Sequence, residues 1–160
     1  MKTNMNAKTI IGKLLTAFLL VSIGVAIGKE MAARNAPALA EPETAPGETK
    51  VVVYYMHGIP CVTCTFIETT AEKVVREEFA EAVEAGTMEF VSLNYLEPAN
   101  AALADKYNVG SNMVIAARFE NGKEAARVRL DEVMELASDA EELKNYIRAG
   151  VRSALEGGGE

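Results

Sequence analysis

The stretch "KVVVYYMHGIPCVTC", Lys50 to Cys64, decides how this chain is read. Its first part, Lys50 to His57, is a short apolar run rich in Val and Tyr that ends at Gly58 and Pro60, the pattern of a central strand buried on both faces. Its second part holds both cysteines of the chain and its one histidine. Beyond it, apolar residues recur at Ile67, Ala71, Val74, Val75, Phe79, Ala82 and Val83, a helical stripe that closes at Gly86, a residue suited to a C-cap. The spacing predicts one helix from about Cys61 to Gly86. The Cys-x-x-Cys therefore sits where a strand ends and a helix begins.

Downstream, "TMEFVSLNY", Thr87 to Tyr95, reads as a second strand, and "PANAALADKYNV" as a short helix that begins at Pro98 and runs to about Tyr107. "MVIAARF" and "KEAARVRL" flank "ENG", Glu120 to Gly122, where Asn-Gly marks a hairpin. Ser138 to Glu141 has the Ser-x-x-Glu form of a capping box ahead of an amphipathic helix through Leu143, Tyr146, Ile147 and Val151. The polar "EGGGE", residues 156–160, is expected to fray as a disordered tail. The order strand, helix, strand, helix, hairpin, helix predicts an α/β domain over residues 50–155. Its sheet is mixed and four-stranded, flanked by helices, with a parallel pair followed by an antiparallel one.

Upstream, "IIGKLLTAFLLVSIGVAIG", Ile10 to Gly28, is apolar apart from Lys13, and its 19 residues at helical rise are long enough to cover a hydrocarbon core. Lys2, Lys8 and Lys13 make the leading side positive, which places it in the cytoplasm and exports the rest of the chain. Residues 1–28 thus read as one N-terminal transmembrane helix, anchoring a domain that faces the periplasm from a bacterial inner membrane. The alternative is a signal peptide cleaved near "ALA", Ala38 to Ala40, which would release the domain as a secreted or periplasmic protein. Residues 29–49 hold three of the five prolines, with Ala and Glu between them, and read as a flexible linker.

Charge narrows the function. Of 16 basic and 23 acidic residues, residues 1–34 take five and one and residues 35–49 take none and three, leaving 11 against 19 in residues 50–160, a net charge of -8. An acidic domain without basic clusters excludes nucleic acid as a partner, because phosphates are bound through Lys and Arg. An apolar fraction of 49% is that of a folded domain.

By itself a Cys-x-x-Cys can be a redox pair, part of a metal site or a structural staple. At a helix N-terminus, unpaired amides and the dipole favour a thiolate at Cys61, and Cys64, one turn in, is placed to attack the sulfur of Cys61 and resolve a mixed disulfide. In an oxidising periplasm the resting pair is expected as a disulfide. A staple that closes two residues of chain gives little stabilisation. A structural zinc needs four ligands, and His57, Cys61 and Cys64 are at most three. Two thiolates suit Cu(I), so a copper carrier that binds through Cys61 and Cys64, or a non-catalytic subunit that uses its fold for docking, is the alternative to a redox enzyme without a cofactor.

With that motif in that order of elements, the chain resembles the thioredoxin superfamily over residues 50–155. The likeness is carried by "VVVYYMHGIPCVTC" and by "ADKYNV" with "ARFENGKEAARV". More narrowly it is similar to the thioredoxin-like proteins labelled nitrophenyl compound nitroreductase subunit ArsF. In those a "YY.HG...C..C" segment and an "NY.EP.N" segment recur, here Tyr54 to Cys64 and Asn94 to Asn100. The resemblance implies a thioredoxin-like fold and a thiol:disulfide oxidoreductase whose partners are protein thiols and disulfides, with Cys61 exposed and attacking and Cys64 shielded and resolving. It also implies a substrate-facing loop before the third strand. Where thioredoxins place a cis-proline, this chain has Met113 or Val114, so a trans loop is expected. Six positions before Cys61, where thioredoxins bury an acidic residue, stands Tyr55. Proton transfer at Cys64 then needs another partner, either water or His57. His57 either tunes the Cys61 thiolate or only hydrogen-bonds the loop backbone. Pro60 shapes the approach to the helix, and Val62 and Thr63 bring no charge between the cysteines.

Overall fold

The computed structural model describes residues 47–160. The expected membrane segment, residues 10–28, and most of the expected linker, residues 29–46, lie outside the described residues. The first strand, β1 (Thr49–His57), is central, as its unbroken apolar run requires. It pairs in parallel with β2 (Met88–Asn94) and antiparallel with β3 (Met113–Glu120), which in turn pairs antiparallel with β4 (Lys123–Leu130). The strand order is β2-β1-β3-β4.

Successive side chains of β1 point to opposite faces, so a strand that is apolar throughout needs two covers. Val51, Val53 and Tyr55 pack with Ile67, Leu143 and Ile147, under α1 (Val62–Lys73) and the closing helix. Val52, Tyr54 and Met56 pack with Leu103, Tyr107 and Phe119 on the other face, which the short helix Ala101–Lys106 covers. Each such side chain, fully withdrawn from water, contributes on the order of 1.5–3 kcal/mol. The hairpin turns at Asn121 (φ 53°) and Gly122 (φ 75°). Two consecutive left-handed residues make the turn whose twist matches that of the strands it joins.

Three features depart from the sequence pattern. The helix after the cysteines is not continuous: α1 ends at Lys73, a π turn follows over Val74–Glu78, and Phe79 (φ -120°, ψ 31°) interrupts the chain before α2 (Ala80–Glu84). A π turn holds an extra residue, and here it keeps Val74 and Val75 fully buried and Phe79, Ala82 and Val83 against the same core. The apolar spacing of three and four residues runs on through it and does not reveal it. The end at Gly86 (φ 75°) is as expected: the Gly86 amide donates to the Val83 carbonyl and the Thr87 amide to that of Ala82.

The closing helix spans Ala140–Leu155 and is numbered α4, the short helix Ala101–Lys106 being α3. Its cap is Asp139, whose carboxylate accepts from the amides of Glu141 and Glu142, while Ser138 ends a preceding 3-10 turn. A carboxylate that takes two amides and faces the positive helix end outcompetes the neighbouring serine. The C-terminal residues, expected to fray, run back along β4, where Glu160 and Arg127 exchange backbone hydrogen bonds of 3.0 and 3.3 Å.

A parallel β-α-β unit, a short helix, an antiparallel hairpin and a closing helix, in the strand order β2-β1-β3-β4, make a thioredoxin-like α/β fold with a mixed four-stranded sheet. Its β1 ends one loop before the cysteines.

Candidate active site

Cys61 and Cys64 form a disulfide with a Cα–Cα separation of 5.0 Å. Cys61 is the N-cap of α1, in extended conformation, and its sulfur accepts the Cys64 amide at 3.0 Å. The first turn carries no acidic residue to oppose a negative charge there. Cys61 is exposed, whereas Cys64 is 6% exposed. One sulfur thus faces solvent at a positive helix end, and its partner is enclosed behind it.

The loop between β1 and α1 is held from two sides. The Gly58 amide donates to Oδ1 of Asn112 at 2.9 Å. On the other side lies Tyr95: a Cβ on Gly58 would come within 2.7 Å of the Tyr95 hydroxyl, so a larger residue there would have to displace that ring. Tyr95 is set by its own segment, in which Asn94 Oδ1 accepts the Leu96 amide and the buried Asn100 donates to the Asn94 carbonyl at 2.8 Å. The "NY.EP.N" residues therefore build the wall against which Gly58 packs. His57 donates from Nδ1 to the Gly58 carbonyl at 3.1 Å and its ring stacks on Tyr55, with centroids 5.8 Å apart. This is the loop-backbone contact that one of its two sequence readings expects. Pro60, Val62 and Thr63 are all exposed beside Cys61.

Beneath the disulfide, Tyr55 is fully buried and its hydroxyl donates to the Cys64 carbonyl at 2.9 Å. Burial, reinforced by the nearby Glu68 carboxylate and partly offset by a hydrogen bond from Asn112, pushes its phenol up to about 12. Tyr55 therefore stays neutral at physiological pH.

The residue of the β3 loop that touches the disulfide is Asn112, whose Nδ2 donates to the Cys64 sulfur at 3.1 Å. Met113 and Val114, the sequence candidates for this position, are the first residues of β3, pair with Met56 and Tyr55, and are buried in opposite faces of the sheet. All peptide bonds among the described residues are trans. Nothing in the sequence singled out Asn112: it lies 48 residues from Cys64, in a "GSN" run that reads as a turn. The only signal was its place immediately before β3, a location that acquires meaning once β3 is seen beside β1.

Around the exposed sulfur the surface is apolar. Ile59 is 80% and Val62 90% exposed, and Phe66, one turn beyond Val62, is 39% exposed. Among the described residues no group of three or more His, Cys, Asp or Glu side chains comes together to hold a metal.

No family model and no curated protein matches the chain. Solved structures that are similar include a malarial protein, at 19% identity and a TM-score of 0.38, covering 64% of this chain and 98% of the other. The thioredoxin of Malassezia sympodialis (Mala s 13) has 19% identity and a TM-score of 0.38, covering 66% and 78%. Thioredoxin f2 of Chlamydomonas reinhardtii has 17% identity and a TM-score of 0.35, covering 60% and 79%.

Proposed function

We propose that this chain is a thiol:disulfide oxidoreductase that exchanges its Cys61–Cys64 disulfide with protein thiols and disulfides, on a domain tethered outside a bacterial inner membrane. The observation that carries the chemistry is the asymmetry of the pair: Cys61 is exposed at a helix N-terminus and Cys64 is shielded behind it, at the end of the central strand of a thioredoxin-like sheet. A partner thiolate attacks the Cys61 sulfur, a new disulfide forms between partner and Cys61, and the electron pair of the old bond passes to Cys64. In reverse, the Cys64 thiolate attacks Cys61 and releases the partner. The apolar rim of Ile59, Val62 and Phe66 suits a polypeptide partner more than a small charged one.

The tether is supported by the apolar run of residues 10–28 with lysines ahead of it, and by the Pro- and Ala-rich residues 29–49 as a linker. The finer likeness, to the ArsF subunits, is supported by two sequence segments, Tyr54 to Cys64 and Asn94 to Asn100, which meet where the Tyr95 amide donates to the His57 carbonyl at 2.9 Å. Copper held by Cys61 and Cys64 alone is the competing reading.

The test is insulin reduction by the full-length chain with dithiothreitol as electron source. The native chain is expected to turn over, Cys61→Ser to have no activity, and Cys64→Ser to have none while accumulating a mixed disulfide at Cys61. Full turnover by Cys61→Ser would refute the mechanism. Stoichiometric Cu(I) binding by the reduced native chain, with no turnover, would establish the copper reading instead.

A further inference from the structure

Resting on the exchange reaction above, we propose that Asn112 is a catalytic residue that stabilises the negative charge developing on the Cys64 sulfur, the place that a buried acid or a cis-proline loop would otherwise fill.

The orientation of its amide is fixed by chemistry. The Gly58 amide can only donate, so the atom of Asn112 that it meets at 2.9 Å is Oδ1. The other end is then the NH2 group, and it points at the Cys64 sulfur from 3.1 Å. A disulfide sulfur is a weak acceptor and a thiolate a strong one, so this hydrogen bond strengthens as the sulfur–sulfur bond breaks. That is a differential interaction, weak in the ground state and strong where charge appears, which is what accelerates a step. Cys64 needs it because it is 6% exposed and water cannot solvate its charge well.

The other groups around this sulfur are committed elsewhere. The Tyr55 hydroxyl donates to the Cys64 carbonyl and the His57 Nδ1 to the Gly58 carbonyl, while Glu68, one turn further along α1, can only oppose a negative charge. The Ile59 carbonyl, 3.7 Å from the sulfur, can accept from a thiol but repels a thiolate. Asn112 is thus the donor that favours the ionised form. The role differs with direction. When a partner thiolate attacks Cys61, Cys64 leaves with the electron pair and the amide stabilises the charge as it appears. When Cys64 resolves a mixed disulfide, the same amide acts earlier, by raising the fraction of Cys64 present as the attacking thiolate.

The experiment uses the full-length chain in detergent micelles with Cys61→Ser, which leaves Cys64 as the one thiol, and follows its ionisation by thiolate absorbance against the Cys61→Ser, Cys64→Ser chain. Asn112→Ala is expected to raise the Cys64 pKa by about one unit, the scale of a hydrogen bond to a charged group. Asn112→Asp keeps an oxygen for the Gly58 amide, so the loop stays held, and replaces the donor by a second oxygen; it is expected to raise the pKa further. With both cysteines present, Asn112→Ala should slow insulin turnover about tenfold. An unchanged Cys64 titration in both Asn112 variants would overturn the proposal even if the native chain turns over. A native chain that performs no thiol exchange would refute the oxidoreductase reading, while the titration would still decide what Asn112 does to Cys64.

Discussion

Two buried tyrosines, one on each face of the sheet, anchor two polar clusters that look alike and do different things. The Tyr107 hydroxyl donates to Glu124 at 2.8 Å, and Lys106 at 2.8 Å and Arg127 at 3.1 Å reach the same carboxylate. Burial, with the Glu124 hydrogen bond next, drives the Tyr107 phenol up. Burial also works against the Glu124 charge, but Lys106, Tyr107 and Arg127 together leave its carboxyl below the usual range. The Tyr55 hydroxyl, by contrast, meets a backbone carbonyl, and the cluster above it holds a sulfur and a neutral amide. The more perturbed tyrosine is the one without chemistry beside it. A shifted pKa reports burial and partners; a site also needs a reactive atom that a partner can reach, and Cys61 supplies it.

Removing one hydroxyl at a time breaks that comparison most strongly. Tyr107→Phe is expected to cost about 1–1.5 kcal/mol in urea unfolding, since Glu124 keeps two cations, and to leave insulin turnover unchanged. Tyr55→Phe is expected to cost about 1 kcal/mol and to slow turnover, because Cys64 loses a backbone tether at the reacting end. Equal turnover in the two variants would erase the distinction. The alkaline limb sharpens it. Both phenols titrate higher in the folded chain, Tyr55 at about 12. The unfolded chain therefore releases these protons first, near pH 10, and their contribution, whole below that, is lost as pH rises toward 12. Each Phe variant should flatten the fall in urea midpoint over that window.

The smallest expected effect lies at the π turn. Arg148, with Lys144 beside it, hydrogen-bonds Glu78 and holds its carboxyl down at about 2, tying the π turn to α4. A carboxylate with a lowered pKa stabilises the fold above its unfolded value, about 4.5, and ceases to as pH falls to 2. Being near the surface and screened by water, the pair contributes little. Glu78→Gln should lower the urea midpoint slightly at pH 7 and leave it unchanged near pH 2.

Range along the chain decides how much of this was legible in the sequence. The apolar run of β1, the Asn-Gly turn and the glycine end at Gly86 are local signals, and the chain adopts each of them. The strand-to-helix placement of Cys61 and Cys64 is also local, being a motif read against its two neighbours. Asp139 and Ser138 compete for one cap, and propensity alone does not rank them. The π turn hides inside a spacing that a regular helix would share. Six positions before Cys61 the sequence marks only a missing acid, and Tyr55 there reads as a core residue; its hydrogen bond to the Cys64 carbonyl depends on how α1 sits over β1. Asn112 was the least legible, since it reaches Cys64 across 48 residues only through the pairing of β3 with β1. Long-range polar contacts of this kind leave no period in a sequence.

The most direct measurement is the reduction potential of the Cys61–Cys64 pair in the full-length chain, by equilibration in glutathione or dithiothreitol buffers with thiol labelling and mass spectrometry. An exposed sulfur at a helix N-terminus with a shielded partner predicts a reversible two-electron transition between about -270 and -120 mV, the range of exchanging pairs. A potential below about -300 mV, where structural disulfides lie, would contradict a redox role.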